Sequence, residues 1–500
     1  MILNKTQLCY IIYCEKPKVY ETLRNLGIFQ LPSKTQLNRK KNAEYWHSPG
    51  ANDAYIAETA QKYWKQEEAR PCPGHGAGLL IGDEVKTVGK ITWNSKNHEI
   101  MGAASDIHTL SSLYDLFKGE HVAKSSKPGS YVFQTLWRDI NGNIDILGGY
   151  WTFANPIQSH EVYSCLMESM RVFSSYNLQV CGIILDGCSS NLSVFKKLAC
   201  GPQEKFLPES FEVPAHFKNP FHPNLDCALI VCPSHVLKNM VNALKSSEDG
   251  GPRAFRLSND DVEFGWGVLR SMYDREVHRR VILGGRGLIP GLEKSFIERD
   301  AWTKMNVEPA KILQQDRVIA ELKQHRGSNL GEKEYFEVDQ VVRYLEALNQ
   351  LFEMGILSHK SVNSKSCVPM LKMQEGLRFF MEWRKRLERS GKFVSQQFLS
   401  WQTYDILRIT ITGFDKLVEI FFNQICTCPP RTHYIVPVRI NGSAIESIFS
   451  QIRQSTPCGK VCSNGYSSAL QKLQIKRRYS RMKPKKKRKD GEYRDVDVNL

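Results

Sequence analysis

The sequence predicts an α/β protein: a mixed β-sheet flanked by helices and interrupted by a large, mainly α-helical insertion. Three observations carry that prediction. Short apolar runs bounded by turn residues fill the segment between Leu79 and Val231, and Val180–Leu185 is apolar throughout, as a strand buried on both faces should be. Long stretches with helical spacing dominate residues 248–430, with no alternation of strands and helices. Strand-like and helical character then returns between Tyr434 and Arg453.

Residues 18–45 are polar and read as helical or irregular. Ala54–Glu68 is helical, with Tyr55, Ile56, Ala60, Tyr63 and Trp64 on its apolar face. Pro71-Cys72-Pro73-Gly74-His75-Gly76 breaks the chain. Leu79–Val88 and Ile91–Trp93 read as a hairpin-like pair of strands. Tyr131–Trp137 and Ile144–Phe153 flank Asn141-Gly142-Asn143, a strong turn signal between apolar runs. Ser159–Tyr176 is helical, with Val162, Cys165, Leu166, Met170 and Phe173 recurring at three or four residues. Val180–Leu185 follows as a strand. The order strand, strand, strand, helix, strand is that of a ribonuclease-H-like core.

Asp186-Gly187-Cys188-Ser189-Ser190-Asn191 suits a tight strand-to-helix turn, with Ser190 or Asn191 capping a helix from about Leu192. After a proline-rich excursion, Phe206–Pro223, come a strand at Cys227–Val231 and a helix at His235–Leu244. Helical patterns then cover Asn259–Met272, Ala310–Gln324, Glu334–Glu353, Met370–Arg389 and Thr403–Ile425. Trp266, Trp302, Trp383 and Trp401 read as core residues of this region. Tyr434–Ile440 reads as a strand and Ser443–Phe449 as the start of a helix. The expected organisation is an N-terminal helical or linker region (1–70), a first core part (71–247), the insertion (248–432), a second core part (433–475) and a basic disordered tail (476–500).

Three acids stand out by their settings. Asp83 lies on the first strand, Asp186 ends the strand Val180–Leu185, and Glu446 lies on the late helix. Carboxylates on one strand, at the end of a neighbouring strand and on a helix form the layout of a two-metal phosphoryl-transfer site, where ions about 3.5–4 Å apart stabilise attacking and leaving oxygens. Roughly 260 residues separate Asp186 from Glu446, far beyond a loop, so a folded insertion must lie between them.

At 500 residues the chain exceeds what one core usually holds, so two or three domains are expected. No apolar run approaches the roughly 20 residues of a membrane span, and the N-terminus lacks the order of a signal peptide. The net charge is +16, but ten Lys or Arg and no acid stand between Lys476 and Lys489, leaving only +6 for the rest. Within that tail Lys483, Lys485, Lys486, Lys487, Arg488 and Lys489 read as a nuclear localisation signal. The fourteen cysteines are scattered, and Cys165, Cys181 and Cys227 sit in apolar runs, which fits reduced thiols. Cys9 with Cys14 and Cys72 with His75 have finger-like spacing within each pair, but 57 residues separate the pairs and a zinc site there is set aside; Cys426 with Cys428 and Cys458 with Cys462, at non-standard spacing, are weak and ambiguous evidence for one.

Five motifs in order resemble the P-element type transposases, a family that includes THAP-associated DNA transposases. They are Tyr20–Leu37, Gly82-Asp83-Glu84-Val85 with Gly102, Asp186–Asn191, Pro233–Asn239 and Ala444–Arg453. The resemblance implies a ribonuclease-H-like core split by a GTP-binding insertion. It implies Mg2+- (or Mn2+-) dependent cutting and joining of DNA, with Asp83, Asp186 and Glu446 as catalytic metal ligands. Double-stranded DNA at transposon ends is the implied partner, with a homo-oligomer left open. GTP is implied as a cofactor that positions DNA; the absence of a GxxxxGK[ST] motif agrees that it is not an energy source. His235 and Lys238, on one helix face, and Arg453, with Arg439, are candidate phosphate contacts. The chain departs from the family in having Cys232 where Asp commonly precedes Pro-Ser-His, and in lacking an evident THAP finger before the core. Two readings therefore stand: a working transposase, and a domesticated, catalytically inactive nuclear DNA-binding protein that retains the fold.

Overall fold

The computed structural model describes residues 8–482, apart from 10–11, 14–15, 28–29, 46, 69–75, 95–98, 105–126, 141–143, 201–214, 249, 259–260, 286, 329, 391–394, 427–432 and 455–458. The Asn141-Gly142-Asn143 turn, most of the break at Pro71, the first part of the proline-rich excursion, Cys14, Cys72, His75, Cys428, Cys458 and the nuclear-address residues 483–489 lie outside the described residues.

The N-terminal region is helical. Helices α1 (Pro17–Asn25) and α2 (Lys34–Tyr45) are followed by α3 (Asp53–Glu67). Ser33 and Gln36 cap α2 reciprocally, each backbone N–H donating to the other's side chain at 3.2 and 2.9 Å. Tyr13, Tyr20 and Leu37 form a small separate cluster with Cys9 and Ile475, which ties this region to the last helix. Helix α3 buries Ile56, Ala60 and Tyr63, as its spacing predicts.

The sheet has six strands in the order β5-β4-β1-β6-β8-β7. Strand β1 is Ala77–Lys86, β4 is Tyr131–Asp139, β5 is Asp145–Phe153, β6 is Gln179–Leu185, β7 is His216–Lys218 and β8 is Asp226–Val231. The two remaining strands, β2 (Thr92–Asn94) and β3 (Glu99–Met101), pair only with each other. The expected hairpin between Leu79–Val88 and Ile91–Trp93 therefore does not form. Strand β1 instead takes the middle of the sheet, antiparallel to β4 and parallel to β6. Strand β6 is parallel to β8, as its continuous apolar run requires.

Helix α4 (Ser159–Ser175) joins β5 to β6 and buries Val162, Cys165, Leu166, Met170 and Phe173. Helices α5 (Ser189–Cys200) and α6 (Pro233–Lys245) leave the ends of β6 and β8. The insertion contains α7 (Gly267–Ile282), three short helical turns, α8 (Asp316–Arg326), α9 (Glu332–Leu351) and α10 (Val368–Arg389). The first of these starts later than its spacing predicts, because the Phe255–Phe264 bridge occupies the residues before it. The Ala310–Gln324 pattern splits into two helices at Gln314 and Gln315.

The insertion has its own aromatic centre. Trp383 packs edge-on to Phe255, Tyr344 and Phe398, and its indole N–H donates to Arg256 O at 2.6 Å. Trp266 and Trp383 are buried as expected, whereas Trp401 is 61% exposed, at the first position of α11 (Trp401–Ile420). That helix lies across the sheet on β8, where a Cβ on Gly413 would meet Leu229 O at 2.0 Å, so only glycine permits the approach.

The chain returns through a bridge between Ile435 and Val362 and a 3-10 turn at Pro437–Arg439. The expected strand at Tyr434–Ile440 is absent because Pro437 has no N–H for a ladder. Helix α12 (Ser443–Gln454) buries Ala444, Ile445, Ile448, Phe449 and Ile452 and packs over β1 and β4. Helix α13 (Tyr466–Met482) continues into the basic run, so residues 476–482 are helical rather than disordered. No described helix is long and apolar enough to cross a membrane.

Candidate functional site

The site follows from strand register. Ile81 on β1 lies opposite Ile184 on β6 in the parallel pairing. Asp83 and Asp186 each stand two positions further on, and a two-residue step returns a strand to the same face of the sheet. On the other side of β6, Leu185 pairs with Val231, and the Cys232 N–H donates to Leu185 O at 2.8 Å. Asp83, within β1, and Asp186 and Cys232, just past the ends of β6 and β8, therefore form a row across three adjacent strands. Helix α12 covers the row and brings Glu446 to it.

Asp83 is half-buried by surface, at the floor of this opening. Its Oδ1 accepts the backbone N–H of Glu84 at 2.8 Å. Burial pushes its carboxyl up to about 8, and the nearby charges of Asp186 and Glu446 push the same way against that hydrogen bond. Glu84 also titrates high, first from burial and then from Asp186 and Glu161, while its Oε2 accepts the N–H of Ile157 at 2.8 Å. This fourth carboxylate was passed over in the sequence; its only signal was its place beside Asp83.

Asp186 turns the chain into α5. Its Oδ1 accepts from the Cys188 N–H at 3.0 Å and from the Asn191 side chain at 2.7 Å. Helix α5 begins at Ser189, earlier than Leu192, because Asp186 itself supplies the local acceptor. Glu446 stands in the first turn of α12, with 41% of its side chain exposed.

His235, in the first turn of α6, reaches the acids: its Nε2 is 3.6 Å from Glu446 Oε1. Burial lowers its pKa, helped by Lys238 and opposed by Glu446 and Asp186. Its Nδ1 is buried without a hydrogen-bond partner. Lys238, one turn further along, donates to Met305 O at 3.4 Å, toward the insertion. Arg453 is exposed, two turns along α12 from Glu446 on the same face. Arg439 accepts the Arg138 guanidinium on its backbone oxygen at 3.0 Å.

Cys232 is buried, and its Sγ accepts the Gly442 N–H at 3.2 Å, just before α12. Burial, then Glu446, pushes the thiol up to about 12, so it is uncharged at neutral pH. This neutral group anchors the start of the Glu446 helix.

Among the described residues, neither Lys nor Arg forms an ion pair with Asp83, Asp186 or Glu446. Likewise, no group of three His, Cys, Asp or Glu side chains closes to metal-holding spacing there. The acids feel one another yet are not drawn together. Cys426 Sγ lies 3.3 Å from His433 Nδ1.

No protein-family model matches the sequence, and no curated protein matches it. The fold does match a solved structure. The chain is similar to the Drosophila P element transposase strand transfer complex, with a TM-score of 0.67 and 13% sequence identity, over 97% of this chain and 94% of that one.

Proposed function

We propose that this chain is a P-element-like transposase, or a transposon-derived protein of that kind. In this reading it cuts and joins DNA at an Asp83/Asp186/Glu446 site on a ribonuclease-H-like core. The observation that carries the proposal is the acid cluster: register sets Asp83 beside Asp186, Glu446 lies on the helix over them, and burial, then these like charges, opposes the ionisation of Asp83. Natural structures retain such repulsion chiefly where a ligand offsets it. The donor set fits a hard divalent cation, being all carboxylate oxygen, partly open and without a lysine or arginine partner among the described residues. The whole-chain likeness to a transposase fold supports the same reading.

Asp83, Asp186 and Glu446 would hold Mg2+ or Mn2+. When bound, such ions lower the pKa of a nucleophile and stabilise charge on the transferred phosphoryl group. The strand register aligns Asp83 with Asp186, and α12 carries Glu446 over them. Burial beneath α12 keeps the carboxylates in a medium of low polarity, where their pull on a cation is stronger than in water. Arg453, on the Glu446 face of α12, is placed to meet DNA phosphates. GTP binding by the insertion and a nuclear address at Lys483–Lys489 complete the proposal. Retention of a fluorescent GTP analogue and the location of a chain lacking 483–489 test these two parts.

Nicking or strand transfer on duplex DNA with Mg2+ or Mn2+ tests the central claim. Asp83→Ala should abolish it; equal cleavage by the variant would overturn it. Cys232 favours the second reading, a domesticated DNA-binding protein without catalysis. That reading predicts DNA binding that weakens steeply with salt and no cleavage with any metal. Cleavage that appears only in Cys232→Asp would identify an inactivated enzyme.

A further inference from the structure

We propose that His235 is a nitrogen donor of this site, sharing one cation with Glu446. The inference rests on the carboxylate reading above and adds a ligand that the acid row does not contain. At 3.6 Å the His235 Nε2 and Glu446 Oε1 are too far apart for a sound hydrogen bond. That spacing does suit two donors on one ion: ligands about 2.1 Å from a metal lie about 3.0–3.7 Å from each other at ordinary coordination angles.

The remaining contacts agree. Nε2 points toward Glu446 Oε1, with the charge of Asp186 also near the ring, and no hydrogen bond among the described residues competes for that nitrogen. The pair is reachable, with side-chain exposures of 24% for His235 and 41% for Glu446. Both groups stand on first helical turns, α6 and α12. Cys232 links these turns, since it stands at the N-cap position of α6 and its Sγ accepts the N–H of Gly442 ahead of α12. The neutral thiol thus holds the two donors at a fixed separation without itself competing for the ion. The absence of a closed three-residue group is consistent with this, because the remaining ligands of such ions are commonly waters and substrate phosphate oxygens.

An imidazole changes the ion this position prefers. Nitrogen donors favour Mn2+ and later transition metals over Mg2+, which selects oxygen. The chain should therefore bind Mn2+ more tightly than Mg2+, and His235→Ala should weaken Mn2+ by about tenfold or more while narrowing the difference between the ions.

The test is electron spin-echo spectroscopy of the full chain loaded with Mn2+, with titrations of the wild type, His235→Ala, Glu446→Gln and Asp83→Asn. The expected result is 14N modulation from a bound imidazole in the wild type and in Asp83→Asn, absent from His235→Ala. Mn2+ bound without that modulation, yet weakened by Asp83→Asn, overturns the role of His235 and leaves the carboxylate site standing. Mn2+ binding that neither Asp83→Asn nor Glu446→Gln changes overturns the carboxylate reading and the inference with it. If His235→Ala fails to fold, the wild-type spectrum alone decides.

Discussion

Two regions of this molecule treat buried carboxylates in opposite ways. In the helical insertion Glu276, Glu321 and Asp339 are paired with arginines. Glu276, fully buried, lies against Arg279 and Arg280 and accepts the Ile289 N–H at 3.1 Å. Glu321 takes a two-pronged contact from Arg279 at 2.9 and 3.0 Å, and Asp339 binds both Arg326 and Arg343. Even at the far end of the sheet, Arg138 clasps Asp145 through two bonds. At the other end of β1 Asp83 instead faces Asp186 and Glu446. These three insertion carboxylates each have an arginine partner, whereas Asp83 and Asp186 have one another, and that contrast marks the second pair as candidate functional acids.

The largest expected effect breaks the comparison if it fails. Asp83→Asn should reduce metal-dependent DNA cleavage to background, losing several kcal/mol of charge stabilisation. The same variant should melt no lower than the wild type, because it replaces a carboxyl whose ionisation burial and then the neighbouring acids already oppose. A large drop in Tm would mean that the acid row is structural after all. Glu276→Ala should do the reverse. It leaves arginines without their buried partner and should cost about 3–5 kcal/mol by denaturant titration. A loss under about 1 kcal/mol would erase the contrast between the regions.

A third test probes a buried base. His47 is fully buried where the N-terminal region, β5 and α13 meet, contacting Asn52 and Gln474. Burial lowers its pKa from 6.5 to about 4. The fold therefore favours the neutral ring. Its contribution is complete above pH 6.5 and is lost as pH falls from there through about 4, amounting to about 3 kcal/mol. His47→Gln should flatten that part of the stability profile; an unchanged slope would assign the acid sensitivity elsewhere. The smallest effect sharpens where the sheet's own helices end. Gly413→Ala should cost about 1–3 kcal/mol by forcing α11 off Leu229. A neutral result would detach α11 from the sheet.

Much of this was legible in the sequence. The helices at 159–175, 332–351 and 368–389 follow their apolar spacing, because a helix's buried face is written locally at every third or fourth residue. The parallel strand at Gln179–Leu185 was equally plain. The hairpin was misread because pairing is chosen across the chain: β1 passes over its neighbour at residue 92 for β4 and β6. Trp401 was misplaced because size and apolarity do not say which helix face meets the core.

By itself, the sequence determined most of the long helices and the buried strands, the apolar faces of those helices, and that three acids occupy strand, strand end and helix. Those properties rest on neighbours a few residues apart. Only the tertiary structure decided that Asp83, Asp186 and Cys232 form one row, that His235 faces Glu446, and that α11 covers the sheet. Those facts depend on strand register and on helices meeting across some 200 residues of chain, where close packing and burial select one arrangement that no local pattern encodes.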